Sequence, residues 1–290
     1  MSRGSANGAA TMNRHLQRLV GALAVLVAIG IGGVFVVTSG IYNVAANEQH
    51  LRPTFWLIQF ALRRAVEHRA AGIEVPPLAD ERVVQRGLAH FRVHCVACHG
   101  APGVAPQSFA FGMTPAPANL VDAAREWTPA ELYWVIREGI KMTGMPAWQF
   151  HLADDDIWAV VAFMQRLPAL SPAQYRSLPD VPVPAHAEAA ASAAGPAPVD
   201  LPRAKQAIDH YLCLTCHRIP GLVGPHAPVG PSLEGIGARG VIAGRLPNTP
   251  ANMQRLLREP HRIKPDGAMP DLGVSERDAR DIAAYLATLK

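Results

Sequence analysis

Two short runs in this chain carry its most specific chemistry: Cys95-Val96-Ala97-Cys98-His99 and Cys213-Leu214-Thr215-Cys216-His217. Two thiols three positions apart, followed directly by an imidazole, form the attachment signature of a c-type haem. About one turn of chain separates the sulfurs by the distance between two vinyl groups, to which they add as thioethers. The adjacent histidine is left to ligate the iron from one face. Cys95, Cys98 and His99, and again Cys213, Cys216 and His217, are thus expected to hold two covalently bound haem c groups. A structural zinc site wants four protein ligands, and each cysteine pair is far from the other in sequence. A redox dithiol wants a βαβ context that the hydrophobic pattern lacks. All four cysteines are used in the motifs, so none remains for a disulfide.

A haem iron that only transfers electrons needs a second axial ligand. Gly144-Met145-Pro146 lies 46 residues after His99, and Ala268-Met269-Pro270 lies 52 residues after His217. A lone methionine is by default core packing, but the same Met-Pro pair at a similar offset in both halves points to ligands. The expected iron ligands are therefore His99 with Met145 and His217 with Met269; such His/Met ligation raises the reduction potential. Met113 and Met142 compete in the first half, and neither is followed by proline. His94, His151, His226 and His261 are alternative ligands that read better as surface or loop residues. With both irons capped, no catalytic residue is expected.

The elements that must position these groups read as helices throughout, with no convincing strand pattern. Asp80 to His94 carries Val83, Val84, Gly87, Leu88 and Phe91 on a helical period and runs into the first motif. Thr128-Pro129-Ala130-Glu131 has the threonine cap, the first-turn proline and the glutamate three later that open a helix. Ala153 to Asp156 starts another, whose carboxylates suit a helix N-terminus, and Pro168 stops it. From Leu201 the plan repeats, through Ala204, Ala207, Ile208 and Tyr211 into the second motif. A short helix follows around Met253–Arg258, then a loop over Lys264–Met269, then a last helix opened by Ser275. Both halves read helix, motif, loop, helix, methionine loop, helix.

Ahead of them, Leu19 to Val37 is nineteen residues without a charged or polar side chain, long enough to span a bilayer as a helix. Arg3, Arg14 and Arg18 precede it, which predicts a cytoplasmic N-terminus. A cleavable signal peptide is the alternative, because Val44-Ala45-Ala46 resembles a small-residue cleavage site, although the apolar run is longer than a usual signal core. Pro53 to Ala71 reads as a helix with Phe55, Ile58, Leu62 and Val66 on one side, suited to packing on the first haem domain or to lying at a membrane interface. Residues 168–200 are rich in proline and alanine and read as a semi-extended linker. The expected organisation is a cytoplasmic N-terminus (1–18), an anchor (19–41), a membrane-proximal segment (42–77), a first haem domain (78–168), a linker (169–200) and a second haem domain (201–290).

Each half resembles a class I c-type cytochrome domain, and the whole resembles a membrane-anchored dihaem cytochrome c. The resemblance rests on the paired motifs and covers roughly residues 78–168 and 201–290. It implies an all-α fold: an N-terminal transmembrane helix, then two class I cytochrome c domains joined by the Pro/Ala-rich linker. Gly230-Pro231-Ser232-Leu233 is similar to the family's loop after the haem motif, which implies that the Pro231 carbonyl accepts a hydrogen bond from His217. Pro117-Ala118-Asn119-Leu120 is a partial stand-in in the first half. The family's close crossing of first and last helices is matched by Gly87, Phe91 and Phe163, and more loosely by Ala207, Tyr211 and Tyr285.

The implied function is single-electron transfer between a respiratory donor, such as a dehydrogenase or quinol-oxidising complex, and a terminal oxidase or reductase. The protein would act at the bacterial inner membrane with its haem domains in the periplasm, as a carrier or as a subunit of such a complex. The alternatives are a dihaem peroxidase and a haem-based gas sensor, each of which needs one iron to open. The formal charge of +4 is uneven: residues 201–290 hold twelve basic and eight acidic groups, residues 76–170 seven and nine. The second domain is therefore the surface on which an acidic redox partner would dock. No basic run interleaved with aromatics suggests nucleic acid.

Overall fold

The computed structural model describes residues 6–183, 198–225 and 229–290; its regular structure is almost all helix, joined by long loops. The chain divides into two compact units, one up to Gln59 and one from Phe60 to Lys290. The first contains α1 (Ala6–Ser39), of which the 26 residues Arg14–Ser39 are long and apolar enough to cross a membrane. The start of α2 (Arg52–Ala70) also belongs to it.

The second unit holds two separate apolar cores. The first is built on α3 (Glu81–His94), the short turn α4 (Val96–His99), α5 (Leu120–Glu126), α6 (Pro129–Glu138) and α7 (Asp154–Met164). Helices α3 and α7 cross so closely that a Cβ at Gly87 would lie 1.8 Å from the Ala159 carbonyl oxygen. Only glycine allows that approach. One turn on, the rings of Phe91 and Phe163 meet at 5.1 Å. The cap expected at Thr128 is present in full: its Oγ1 accepts from Glu131 N at 3.3 Å, and Glu131 Oε2 accepts from Thr128 N at 2.7 Å. In the C-terminal part of α2 Val66 and Ala70 are buried, and Arg63 reaches this domain, stacking its guanidinium 4.7 Å from the Trp127 ring and donating to the Glu126 carbonyl at 3.2 Å.

The second core is built on α9 (Leu201–His210), α10 (Pro250–Arg258), the short α11 (Pro260–Ile263) and α12 (Glu276–Thr288). Ala204, Ala207 and Ile208 of α9 are fully buried with Ala279 and Ile282 of α12. Tyr211 and Tyr285 work here through their hydroxyls, which donate to Asp278 Oδ2 at 3.0 Å and to the Pro220 carbonyl at 3.1 Å.

Two expectations change. Within the stretch read as linker, Ser171 caps α8 (Pro172–Ser177) in a capping box with Gln174, Tyr175 is buried, and Arg92 donates to the Leu178 and Pro179 carbonyls. Pro172 opens that helix at the one position where a missing N–H costs nothing, so proline content there marks a start and not an extended coil. Residues 184–197 of the same stretch lie outside the described residues. One small antiparallel pair, β1 (Val241–Ile242) with β2 (Leu246–Pro247), also forms where no strand was expected, closed by Ala243 and Gly244 at φ 52° and 69°.

Candidate haem sites

Helix α3 delivers the first motif directly. Cys95 is its C-terminal cap, α4 carries Cys98 and His99, and Gly100 at φ 67° reverses the chain. The imidazole of His99 donates through Nδ1 to the Ala118 carbonyl at 2.7 Å. Asn119, next in sequence, caps α5 with its side chain, so the residue that follows the accepting carbonyl is itself anchored.

The second motif is delivered by α9, but more tightly: Leu212 adopts φ 56° and Cys213–Thr215 forms a 3-10 turn in place of an α turn. His217 donates through Nδ1 to the Pro231 carbonyl at 2.8 Å. Pro231 therefore has the contact that the family resemblance implied, and Ala118 has the same contact in the first domain without a proline. Gly230 runs beside the ring; a Cβ there would lie 2.6 Å from His217 Cε1. In both domains the carbonyl fixes the proton on Nδ1 and leaves Nε2 unprotonated, the form in which an imidazole can bind a metal.

The methionine loops are folded onto their domains. Met145 and Met269 each pack against the core of their own half, whereas Met142 is 98% exposed. Gly139 at φ 67° ends α6 against the Met145–Pro146 backbone, where a Cβ would lie 2.7 Å from the Met145 carbonyl oxygen. Thr143 closes the loop, its hydroxyl donating to the Ile140 carbonyl at 2.7 Å and accepting from Met145 N at 3.0 Å. The competitor Met113 stands close by: a Cβ at Gly144 would touch its Cε at 2.4 Å. The Met269 loop has a simpler turn, Gly267 N donating to the Lys264 carbonyl at 2.9 Å.

These residues fit the group. A cleft of about 390 Å³ lies beside His99, lined by Phe91, Gly100, Pro117, Leu120 and Leu167. Burial, with a smaller contribution from Cys98, pushes the Cys95 thiol up to about 12, and burial pushes Cys213 up to about 11. Sulfurs in such apolar surroundings suit neutral thioethers better than thiolate ligands. Among the described residues no three His, Cys, Asp or Glu side chains gather as a metal site, so within them neither cysteine pair meets the further ligands that a structural zinc requires.

Comparison with known proteins finds matches in both halves of the chain. Residues 82–164 match the family model described as cytochrome c oxidase, cbb3-type, subunit III, and residues 203–290 match the model described as cytochrome c. The chain belongs to the c-type cytochromes. Cytochrome c domains bind haem c and transfer electrons. The cytochrome is also 33% identical over 87 residues to cytochrome c oxidase subunit 2 of Alkalihalophilus pseudofirmus, a match covering 30% of this chain and about a quarter (25%) of that relative's length. No solved structure matches it.

Some residues of this region were not singled out by their sequence. Trp148 and Phe150, three and five positions after Met145, form ring contacts with His94, His151 and His210. His94 and His151, weighed as alternative ligands and read as surface or loop positions, are half-buried and exposed respectively, and both belong to this cluster. His261 is exposed on α11, and His226 lies outside the described residues.

Proposed function

We propose that the cytochrome is a membrane-tethered two-haem electron-transfer protein, passing single electrons between a respiratory donor and a terminal oxidase or reductase. The observation that carries this reading is the duplicated arrangement of a motif histidine tied through Nδ1 to a backbone carbonyl (2.7 and 2.8 Å) and a Met-Pro loop packed on the same domain. Bound haem supplies a one-electron ferric/ferrous couple. Cys95 with Cys98, and Cys213 with Cys216, anchor it covalently. His99 and His217 present Nε2 to the iron, and Met145 and Met269 supply sulfur from the loops that Thr143 and Gly267 close. Two thioether donors favour the ferrous form and raise both potentials.

α1 is read as a retained single-pass anchor, which puts both domains in the periplasm of a bacterial inner membrane. The relationship to an oxidase subunit and a subunit III model supports a terminal oxidase as acceptor. The basic second domain is assigned the docking of an acidic partner; that reaction slows as salt rises, and a rate independent of salt removes the assignment. A potentiometric titration followed by EPR tests the whole reading. Two low-spin one-electron centres at positive potential are expected, and a single centre, or a high-spin resting haem, would overturn it. Extraction with mild detergent separates free carrier from complex subunit through the chains that migrate with it.

A further inference from the structure

The two cores are separate, yet Phe150 of the first domain packs against the core of the second. Its ring stacks on His210 of α9 at 4.3 Å and an interplanar angle of 20°. Arg203 covers the other part of the contact, its guanidinium 4.8 Å from the Phe150 ring, and donates to Gln149 Oε1 at 3.4 Å. That arginine is preset from within its own domain by Asp278, 2.9 Å away and almost wholly buried. His151 meets His210 edge-on at 4.8 Å, and Trp148 joins His151 at 5.7 Å to His94 at 5.0 Å. Ring contacts thus run unbroken from α3, which delivers Cys95, to α9, which delivers Cys213. The first-domain side of the contact is the turn that immediately follows the Met145 loop.

We infer that the Trp148–His151 turn and the Arg203/His210 face of α9 form a docking seam that holds the two cytochrome domains in one arrangement and releases them when its imidazoles are protonated. Phe150, Arg203 and His210 are positioning residues in this scheme. The inference rests on the two-haem electron-transfer reading for its purpose: docked domains give inter-haem transfer one geometry, and released domains leave the second free to meet a partner.

The charges around the seam set the sign. A charged His210 faces His151 from the first domain and Arg203 from its own helix, both unfavourable. Asp278 of α12 and Asp209 of α9 oppose them. Burial is the largest influence, and the balance holds His210 down at about 4; partial desolvation by its neighbours also lowers His151, although the residue keeps an exposed edge. His94 faces His151 from α3. Separation returns His210 and His151 toward the ordinary value of about 6.5. Docking is therefore fully favoured above that value and weakens as pH falls below about 6.5, by at most about tenfold per pH unit for each imidazole, the share of His210 running down to about 4.

The test is the inter-haem distance distribution of the full-length oxidised holoprotein, measured by pulsed EPR at pH 7.5 and pH 5. The wild type should give a narrow distribution at pH 7.5 and a broad one at pH 5. Phe150→Ala should be broad at both, with unchanged absorption spectra as the check on folding. His210→Phe keeps a stackable ring that cannot ionise and should lose much of the broadening at pH 5; adding His151→Phe should abolish it. A broad wild-type distribution at pH 7.5 overturns the docking, and an equally narrow one at pH 5 overturns the release. Either result leaves the electron-transfer reading standing, because that reading falls only to the redox titration.

Discussion

The two cytochrome domains hold their motif histidines to a backbone carbonyl at almost the same distance, 2.7 and 2.8 Å, with different residues around them. In the second domain Gly230 clears space against the His217 ring and Pro231 carries the carbonyl. In the first, Pro117 and Ala118 occupy the corresponding places, and the anchoring comes from Asn119, which caps α5. The helix crossings diverge in the opposite sense: Gly87 is indispensable in the first domain, while the second accommodates Ala207. What is kept is the position of an acceptor and the closeness of a crossing. Which residue supplies the room is free to move.

That comparison can be pressed experimentally. The largest effect is expected at the two methionines proposed as sulfur ligands. Met145→Ala and Met269→Ala should each lower the potential of one haem only, by an amount on the order of tenths of a volt, while leaving it covalently attached. Met113→Ala, beside the same loop, should leave both potentials in place; redox titration of the three variants decides whether Met145 or Met113 is the ligand. Next come the crossings. Gly87→Val should destabilise the first domain by about 3 kcal/mol or more, because its side chain has no room against the Ala159 backbone. Ala207→Gly should cost the second only about 1 kcal/mol, the ordinary penalty of glycine within a helix. Thermal unfolding followed at each haem's absorption would read both, and equal losses would dismiss the asymmetry.

Smaller again is the pair beside the imidazoles. Gly230→Ala should perturb the His217 haem spectrum and cost about 1–3 kcal/mol, whereas Pro117→Ala should leave the His99 haem spectrum unchanged. The least effect belongs to Thr143→Val, which removes two hydrogen bonds of the Met145 loop and should weaken it by about 1–2 kcal/mol. An increased rate of carbon monoxide binding to the reduced first haem would reveal that loosening, with the second haem as internal control.

Features set by neighbours in sequence were the legible ones. The Thr128–Glu131 box needs partners three residues apart, and both motifs announce themselves within five. Composition misled where one residue type has two uses: Pro172 starts a helix inside a stretch that reads as linker. The role of Ala118 was half visible, since any residue has a carbonyl and only the flanking Pro-x-x-Leu spacing hinted at its place. The contact between Phe150 and His210 could not be read at all, because it joins residues from two cores whose packing no local pattern encodes.

The crossing of α3 with α7, and of α9 with α12, has a consequence for the order of assembly. In each domain the cysteines are synthesised just after the first helix of the crossing, and the helix that completes it comes later. Each pair of thiols therefore emerges into an unfinished, accessible pocket, and the domain cannot close until its last helix arrives. The interval between those two events is the time in which haem is most easily joined to the chain. A substitution that hastened collapse of the early helices would shorten that interval, and its cost would be measured in unfilled protein and not in lost stability.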